Sequence, residues 1–410
     1  MEDKGKRVPE IRFPGFTDPW EQRKCGDVLT ERNVQHPQND EYPLVSFTVE
    51  NGVTPKTERY EREQLVKGDK KAKNYKETRL NDIVYNPANL KFGAIARNTY
   101  GNAVFSPIYV TYKIDEALAT PTFVEMYVTR ETFIRNALQY QQGTVYERMA
   151  VSTEDFESLT ILTPSIKEQS TIGDFFESID NLITLHQRKC ESIKKYKNGM
   201  LQKMFPQNGD GCPEIRFPGF TDSWKQRKLG DVAERVQRND GRMNLPTLTI
   251  SAANGWMSQE NRFSGNIAGK EQQNYTLLHK GELSYNHGNS KLAKYGAVFA
   301  LETYEEALVP RVYHSFRMID ADASFIEYYF ATKIPDKELA KLISSGARMD
   351  GLLNISFDDF MGIRIDLPSV QEQCKISEFL RNLDNFITLH QHKIDELKGY
   401  KKGLLQRMFV

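Results

Sequence analysis

Two polar segments, one in each half of the chain, carry asparagine and lysine at the same spacing. They read Tyr85-Asn86-Pro87-Ala88-Asn89-Leu90-Lys91 and Tyr285-Asn286-His287-Gly288-Asn289-Ser290-Lys291, with Lys294 shortly after the second. An asparagine side chain can make two hydrogen bonds to adenine, and a lysine can reach guanine or a phosphate. Asn, Pro and Gly are also the residues that turns require, so a purely structural role is the alternative.

A lysine-rich stretch precedes the first of these segments. Tyr75 lies among lysines in a mixture that suits contacts with phosphate groups, namely Lys67, Lys70, Lys71, Lys73 and Lys76. A solvated loop would have the same composition, so that alternative stays open. The corresponding stretch of the second half, residues 269–275, has lost most of the charge. Further candidates in predicted loops ahead of the two long helices are Gln141, Gln142, Arg148 and Arg348.

Residues that would indicate catalysis are scarce. The sequence has no glycine-rich cofactor loop followed by an acidic residue and no Gly-Lys-Ser/Thr nucleotide loop. Tyr85-Asn86-Pro87 resembles the start of the Asn-Pro-Pro-Tyr pocket of adenine methyltransferases, but the aromatic residue that stacks on a flipped base is missing. Asp336, Glu338 and Lys341 resemble part of a nuclease metal site, although the first half has no copy of them. A non-catalytic protein is therefore expected, with a self-contained methyltransferase or nuclease as the alternative.

The composition bounds the class of protein. The chain has 410 residues, 39% of them apolar, which is enough for several domains with ordinary cores. Lys plus Arg and Asp plus Glu both number 55, so binding to a polyanion must come from local patches or from partners. The lack of a long apolar run and of a signal-peptide core predicts a cytoplasmic protein without a transmembrane helix. Scattered cysteines, without a Cys-x-x-Cys pair, predict packing roles rather than ligands or disulfides.

The elements that must position the polar segments occur twice. Residues 9–28 match residues 213–232 at 17 of 20 positions, and residues 182–187 return as residues 386–391 at the same offset of 204. A period this long indicates a duplicated domain pair rather than a solenoid. Twofold repetition suggests a protein that imitates a dimer and binds a symmetric or bipartite partner such as DNA. The repeated Phe-Pro-Gly-Phe must form a turn, and Trp20 and Trp224 are expected to be apolar anchors.

Between the repeated segments lie two bodies, residues 29–160 and 233–364, whose sequences have diverged. β-branched and aromatic residues at period two predict strands at 82–86, 92–96, 108–112, 282–286 and 295–299. Helices are predicted from Thr122 to Asn136 and from Ser324 to Thr332. Each body is interpreted as an α+β domain with a curved sheet.

A long helix is predicted to close each half, beginning near Pro164 and Pro368. Apolar lines with seven-residue spacing, typical of a coiled-coil seam, contain Ile172, Phe176, Ile179, Ile183, His186 and Ile193 in the first helix and Ile376, Leu380, Leu383, Ile387, His390 and Leu397 in the second. Pairing of the two helices, antiparallel if a twofold axis relates them, is expected. Packing of each helix on its own body is the alternative. Basic side chains on the polar faces form either a solvated face or a ridge facing phosphates or a partner.

The order of these features resembles the specificity subunit of type I restriction-modification enzymes. The resemblance rests on the segments that enter the helices, 162–169 and 367–373, on the Phe-Pro-Gly-Phe linkers and on the closing Gln202-Lys203-Met204-Phe205 and Gln406-Arg407-Met408-Phe409. It covers essentially the whole chain. Each motif alone is weak, whereas their duplicated order at constant spacing is specific.

The resemblance implies two globular target recognition domains joined by two long antiparallel coiled-coil helices, in an α+β fold with a pseudo-twofold internal repeat. The implied boundaries are an N-terminal tail and linker at 1–28, recognition domains at 29–163 and 233–366, helices at 164–206 and 367–410, and a linker at 207–232. Each domain would read one half of a split, asymmetric DNA sequence. The helix pair would set the distance between the two half-sites.

The resemblance also implies partners and cofactors. Two methyltransferase subunits would bind the conserved regions and methylate adenine with S-adenosylmethionine. Two restriction subunits would use ATP and Mg for translocation and cleavage of double-stranded DNA. The chain itself would bind no cofactor or metal and would hold no catalytic residue. A scaffold whose bodies bind other proteins is the second alternative, but a constant spacer with divergent ends favours reading of DNA.

Overall fold

The computed structural model describes residues 7–55, 73–142, 149–207, 210–263, 269–288, 290–343 and 352–410. The chain divides into two compact units, one of Met1–His186 with Lys393–Val410 and one of Gln187–His392. These units differ from the two halves of the sequence repeat, because each contains the end of the long helix that belongs to the other half. Within the described residues, no helix has the length and apolar character needed to cross a membrane.

The first unit is built around an antiparallel sheet with strand order β2-β10-β7-β8. A smaller sheet has the order β3-β6-β9, while β4 pairs with β5, and β1 pairs with β11. The strands are β1 (Glu21–Lys24), β2 (Leu29–Glu31), β3 (Gln35–His36), β4 (Val45–Thr48), β5 (Gly52–Pro55), β6 (Tyr75–Thr78), β7 (Ile83–Tyr85), β8 (Ile95–Arg97), β9 (Ala103–Phe105), β10 (Val110–Ile114) and β11 (Thr160–Thr163). The helices are α1 (Cys25–Val28), α2 (Pro121–Val128), α3 (Glu131–Leu138), α4 (Thr153–Ser158) and the long α5 (Ile166–Lys203).

The second unit repeats this plan, with a sheet of strand order β13-β20-β17-β18 and the pairs β12-β21, β14-β15 and β16-β19. Its strands are β12 (Lys225–Lys228), β13 (Ala233–Arg235), β14 (Leu248–Ser251), β15 (Gly255–Ser258), β16 (Thr276–His279), β17 (Leu283–Asn286), β18 (Ala297–Ala300), β19 (Glu306–Val309), β20 (His314–Met318) and β21 (Arg364–Leu367). Its helices are α6 (Gln259–Phe263), α7 (Ala323–Ala331), α8 (Asp336–Lys341), α9 (Phe357–Gly362) and the long α10 (Val370–Met408).

The elements agree with the sequence prediction in kind, and some of their bounds differ. The helix predicted from Thr122 to Asn136 is two helices, α2 and α3, separated at Thr129 and Arg130. The strand predicted at 92–96 begins only at Ile95, because Gly93 takes a left-handed φ of 80° and ends a short 3-10 turn, Leu90–Phe92. Both long helices begin two residues after their proline.

The repeated linker joins the start of one long helix to the end of the other within each unit. In the first unit Arg12 forms a bidentate ion pair with Glu168, at 2.6 and 2.7 Å, near the start of α5. The neighbouring Ile11 amide donates to the carbonyl of Arg407 in α10, at 3.0 Å. In the second unit Arg216 pairs with Glu372, and the Ile215 amide donates to the carbonyl of Lys203. The helix segments of each unit therefore run in opposite directions.

The last aromatic residue of each helix motif completes a core in which the other half of the sequence supplies the partners. Phe409 is buried against Trp20 and Phe123, at ring distances of 5.8 and 5.4 Å. In the second unit, Phe205 packs against Trp224 and Phe325, at 5.9 and 5.3 Å. The two tryptophans, predicted to be apolar anchors, thus pack against the phenylalanine of the closing Met-Phe motif.

The predicted seam residues lie on buried or half-buried faces of the long helices. In the first unit the apolar core contains Ile172, Phe176, Ile179 and Ile183 from α5 together with Ile394 from α10. In the second unit Ile376 and Leu380 are buried, and the half-buried seam residues of the two units are His186, Ile193, Leu383, Ile387, His390 and Leu397. The same cores include residues of the bodies, so these helices pack both on each other and on a body.

Equivalent ion pairs also link the helix segments. Lys401 binds Asp180 in the first unit at 2.6 Å, and Lys197 binds Asp384 in the second unit at 2.6 Å. Part of the basic character of the long helices is therefore neutralised by the facing helix rather than by a partner molecule.

A glutamate at the same place in both bodies has different surroundings. In the first body Glu125 pairs with Arg97 of β8 at 2.8 Å. In the second body the equivalent strand position is Ala300, whose amide donates to Glu327 at 2.8 Å. Burial raises the pKa of Glu327 to about 7, against the lowering effects of the Ala300 amide and Lys197. Because the folded state holds this proton more tightly than the unfolded chain, Glu327 destabilises the second unit as the pH rises from about 4.5 to 7.

We expect Glu327→Gln to stabilise the second unit at pH 8, by on the order of 2 kcal/mol, and to have little effect at pH 4. The glutamine can still accept the Ala300 hydrogen bond without carrying a buried charge. Hydrogen–deuterium exchange of α7 at both pH values measures the change. The control Glu125→Gln loses an ion pair and should not stabilise the first unit. A Glu327→Gln protein that is less stable than the wild type at pH 8 would contradict this assignment.

Candidate nucleic-acid interface

The first polar segment forms a rigid loop between β7 and β8. Tyr85 ends β7 and is fully buried, stacked on Phe156 at 4.6 Å. The Asn86 side chain accepts a hydrogen bond from the Ala88 amide at 3.1 Å and so shapes the turn. Leu90 is buried beneath the following 3-10 turn. Buried Tyr85, Asn86 and Leu90 therefore anchor this loop, while Asn89, Lys91 and Phe92 are exposed to solvent.

The corresponding loop of the second body lies between β17 and β18. Asn286 again accepts from a main-chain amide two residues on, here that of Gly288 at 3.0 Å. Ser290 and Ala293 exchange two main-chain hydrogen bonds of 3.2 Å, which form a tight turn. The chain returns at Gly296, where a Cβ atom would lie 2.5 Å from the carbonyl oxygen of Asn286, so only glycine fits. The second loop thus begins with the same asparagine-based turn as the first, and it takes more residues to return to the sheet.

Each loop is supported from the segment that precedes α4 or α9. In the first body the Tyr85 hydroxyl donates to the Val151 carbonyl at 3.4 Å, and the Val151 amide donates to Pro87. In the second body both ring nitrogens of the buried His287 contact main-chain carbonyls, Nδ1 with Leu353 at 2.8 Å and Nε2 with Val312 at 3.1 Å. His287 also stacks on His314 at 4.8 Å. Burial lowers the pKa of His314, which favours its neutral form.

Several residues suggested as contacts are structural. Tyr85 and Tyr285 are fully buried, so neither can reach a nucleic acid, and the prediction for both is wrong. Asn86 is buried and Asn286 half-buried, and their side-chain oxygens are used by the turns, as the structural alternative predicted. Lys76 is buried with Glu31 and Asn33, at 2.7 and 2.8 Å. Period-two patterns do not tell which face of a strand is buried, and this misplaced the tyrosines.

Other suggested residues are exposed. In the first body they are Lys73, Asn89 and Lys91, and in the second they are Lys291 and Lys294. The Lys91 ammonium lies 5.0 Å from the Phe92 ring, and that of Lys294 lies 5.2 Å from the Tyr295 ring. The contacts suggested for Lys70, Lys71, Arg148, Asn289 and Arg348 lie outside the described residues. The exposed lysines on the loops remain candidate contacts with phosphates or bases.

The segment that resembles a nuclease site has another explanation. Asp336 begins the short helix α8, and the ammonium of Lys341 pairs with Glu338 one turn earlier. Burial raises the pKa of Asp336, which disfavours the charged form that a metal ligand needs. Among the residues that the structure describes, no three or more His, Cys, Asp and Glu side chains are grouped so that they could hold a metal ion.

Two exposed apolar side chains on the loops were not among the sequence candidates. Phe92 follows Lys91 and Leu292 follows Lys291, and both side chains point to solvent. In the sequence, Phe92 suits a predicted strand and Leu292 has no periodic context. A signal was nevertheless present, because the two apolar residues follow the Tyr-Asn pairs at the same distance.

Comparison with known proteins identifies a family for both halves of the chain. The family model for the type I restriction modification DNA specificity domain matches residues 18–195 and again residues 221–399. The type I restriction enzyme MjaVIII specificity subunit of Methanocaldococcus jannaschii is 22% identical over 280 residues. This match covers 63% of the present chain, and the chain spans 63% of the length of that relative.

Solved structures share the fold. The S subunit of a type I restriction-modification system from M. genitalium has a TM-score of 0.59 and 12% identity, over 98% of this chain and 99% of its own. A chain from a structure on complex assembly and conformational transition of the type I R-M system has a TM-score of 0.50 and 17% identity. That match covers 97% of this chain and 99% of the other.

Proposed function

This chain belongs to the type I restriction-modification DNA specificity family, and we propose that it is the subunit that reads the DNA sequence for such a complex. Each body reads one half of a bipartite, asymmetric site. The observation that carries the proposal is that the two bodies have a loop between equivalent strands. Both loops begin with the same asparagine-based turn, but their exposed residues differ. In contrast, the linkers that hold the bodies match at 17 of 20 positions.

The difference between the loops supports the reading of two different half-sites. Pro87 in the first loop corresponds to His287 in the second, and the second loop returns to its sheet after a longer excursion. Sequence is read by side chains that reach base edges from a fixed frame, whereas contacts with phosphates position the protein. Exposed Lys91 and Lys294, each one residue before the aromatic residue at the return to the sheet, suit the positioning role.

The long helices support the proposal that the distance between half-sites is fixed. They contain 38 and 39 residues, which corresponds to roughly 57 Å of helix each. Protein modules that read one face of DNA are spaced by about 34 Å or multiples of it. Because each unit contains the start of one helix and the end of the other, held by an Arg–Glu pair, the helices are suited to act as the ruler.

Exposed apolar residues on the same helices support docking of a partner present in two copies. Ile183 and Ile387 are turned inward, while their neighbours Leu182, Leu185, Phe386 and Leu389 are between 45% and 61% exposed. Residues 183–187 and 387–391 are identical in the two copies, unlike the bodies. Exposed apolar groups on a repeated surface fit two identical partners. We assign them to two methyltransferase subunits.

The remaining parts of the proposal follow from the family. The chain supplies recognition without catalysis of its own. S-adenosylmethionine would be used by the methyltransferase subunits, and ATP and Mg by two restriction subunits. The complex would act on double-stranded DNA in the cytoplasm.

Methylation mapping tests the reading of DNA. The chain is co-expressed with type I methyltransferase subunits, and methylated adenines are located by single-molecule sequencing. We expect one bipartite motif with a fixed gap, absent without this chain. Exchange of residues 29–163 for another first body should replace one half-site and leave the other half-site and the gap unchanged.

A well-formed complex that adds no methylation at a defined site would favour the scaffold alternative. Methylation by this chain alone would contradict the proposal that it is not an enzyme. Replacement of both half-sites after exchange of one body would show that the bodies do not read independently.

Substitution of the exposed leucines tests the docking surface. Leu185→Lys places a charge in an apolar interface, so we expect one of two methyltransferase copies to be lost, with at least tenfold weaker binding. Leu389→Lys should have the same effect on the other copy. Native mass spectrometry counts the copies. Thr184→Lys and Thr388→Lys, which add the same charge at exposed neighbouring positions, are the matched controls. Retention of both copies by the leucine variants would contradict the assignment.

A further inference from the structure

We propose that Phe92 and Leu292 read bases directly, each by packing against the 5-methyl group of a thymine in its own half-site. The inference rests on the proposed function, since it requires that both loops face DNA. It assigns a specificity-determining residue to each body, on the loop that joins β7 to β8 or β17 to β18.

Phe92 and Leu292 are large apolar side chains that are exposed to solvent. Phe92 is 65% exposed and Leu292 is 67% exposed, although both belong to residue types that usually lie in cores. Each follows a lysine, and each lies seven residues after a buried tyrosine of the preceding strand, Tyr85 or Tyr285. Each body therefore presents a lysine followed by a large exposed apolar residue on this loop. Phe92 lies just before the return to β8, and Leu292 lies in the additional turn of the longer second loop.

The tips that carry these residues are held in place. In the first body the Phe92 amide donates to the Asn89 carbonyl at 2.9 Å, while Leu90 is buried beneath it. In the second body Lys291 and Leu292 occupy the two middle positions of the turn closed by Ser290 and Ala293. A fixed tip loses little conformational entropy when it binds, so an apolar contact at this point contributes to affinity and selectivity.

The charge of the tips indicates the kind of partner. The sequence from residue 83 to 97 contains no Asp or Glu, and neither does the sequence from 283 to 300. Exposed lysines lie beside both apolar residues, namely Lys91 in the first loop and Lys291 and Lys294 in the second. In a chain with equal numbers of acidic and basic residues, this local excess of positive charge fits a polyanion.

The difference between the two tips favours DNA over a shared protein partner. The exposed helix surface assigned to two copies of one partner repeats residues 183–187 as 387–391 and differs only in Leu182 against Phe386. The two loops begin with the same asparagine-based turn, but they differ in length and in their side chains, with Pro87 in one and His287 in the other. That combination suits a surface whose two copies read different sequences.

Thymine is the base whose chemistry matches an apolar side chain. Its 5-methyl group is the apolar group on the base edges of the major groove, where the other groups are donors and acceptors. The neighbouring lysine can reach a phosphate or a guanine at the same time. An apolar wedge between base steps would instead contact the faces of the bases and would not distinguish thymine from uracil.

The experiment uses the complex of the full chain with its methyltransferase subunits and a duplex that contains the mapped site. Each thymine of both half-sites is replaced singly by deoxyuridine, which lacks only the methyl group, and the Kd is measured by fluorescence anisotropy. We expect one thymine in the half-site of the first body to be sensitive, with about fourfold weaker binding of uracil, the factor that burial of one methyl-sized group supplies.

The variants assign each sensitivity to its residue. Phe92→Ala should bind the thymine and uracil duplexes equally at that position, while Phe92→Leu keeps the preference for thymine. Leu292→Ala should remove the sensitivity in the other half-site only. Both residues are exposed, so the variants are expected to fold, and unchanged circular dichroism and methyltransferase binding verify this.

The outcomes separate this inference from the proposed function. A bipartite motif with a half-site that lacks thymine on both strands, or with no position sensitive to uracil, overturns the inference alone. Retained sensitivity in the Phe92→Ala complex also overturns it. Absence of any bipartite motif overturns the proposed function, and the inference with it.

Discussion

The structure depends on how both long helices are attached to each body. A buried Arg–Glu ion pair holds the start of one helix, and a buried phenylalanine holds the end of the other. Arg12 and Glu168 are both largely shielded from water, and their pairing raises the pKa of the guanidinium. Removal of one partner would leave a buried charge uncompensated, which typically costs several kcal/mol. Phe409 then inserts into a core formed by the first half of the sequence, as Phe205 does in the second unit. Each body is thereby held between the start of one helix and the end of the other.

This arrangement allows the bodies to diverge without changing how they are held. The linker is repeated almost unchanged, and both copies keep the Pro-Ser and Glu-Gln pairs at the helix starts and the closing Met-Phe motifs. The loops between β7 and β8 and between β17 and β18, in contrast, differ in length and side chains. The second body even replaces a proline by a buried histidine, whose ring contacts two main-chain carbonyls below the loop. A fixed frame with variable tips is what a protein needs if it reads different half-sites at one separation.

The sequence predicted the repeated parts well because their signals are local and occur twice. Seven-residue spacing located both long helices to within a few residues, and the Asn, Pro and Gly residues of the two polar segments indicated turns that Asn86 and Asn286 indeed form. It misjudged Tyr85, which alternation places on a strand without telling which face is buried. Nor could it tell which body receives Phe205 or Phe409, because the two copies of each motif are nearly identical. That choice is made by tertiary packing, which no local pattern encodes.

The central claim is that the length of the two long helices sets the distance between the half-sites that the two bodies read. The most direct test is to shorten both helices. One heptad is deleted from each long helix, away from the ion pairs and the closing phenylalanines, and the methylation motif is mapped again. The account predicts the same two half-sites with a gap shorter by about three base pairs, since seven helical residues span roughly 10 Å. An unchanged gap, or altered half-sites, would contradict it.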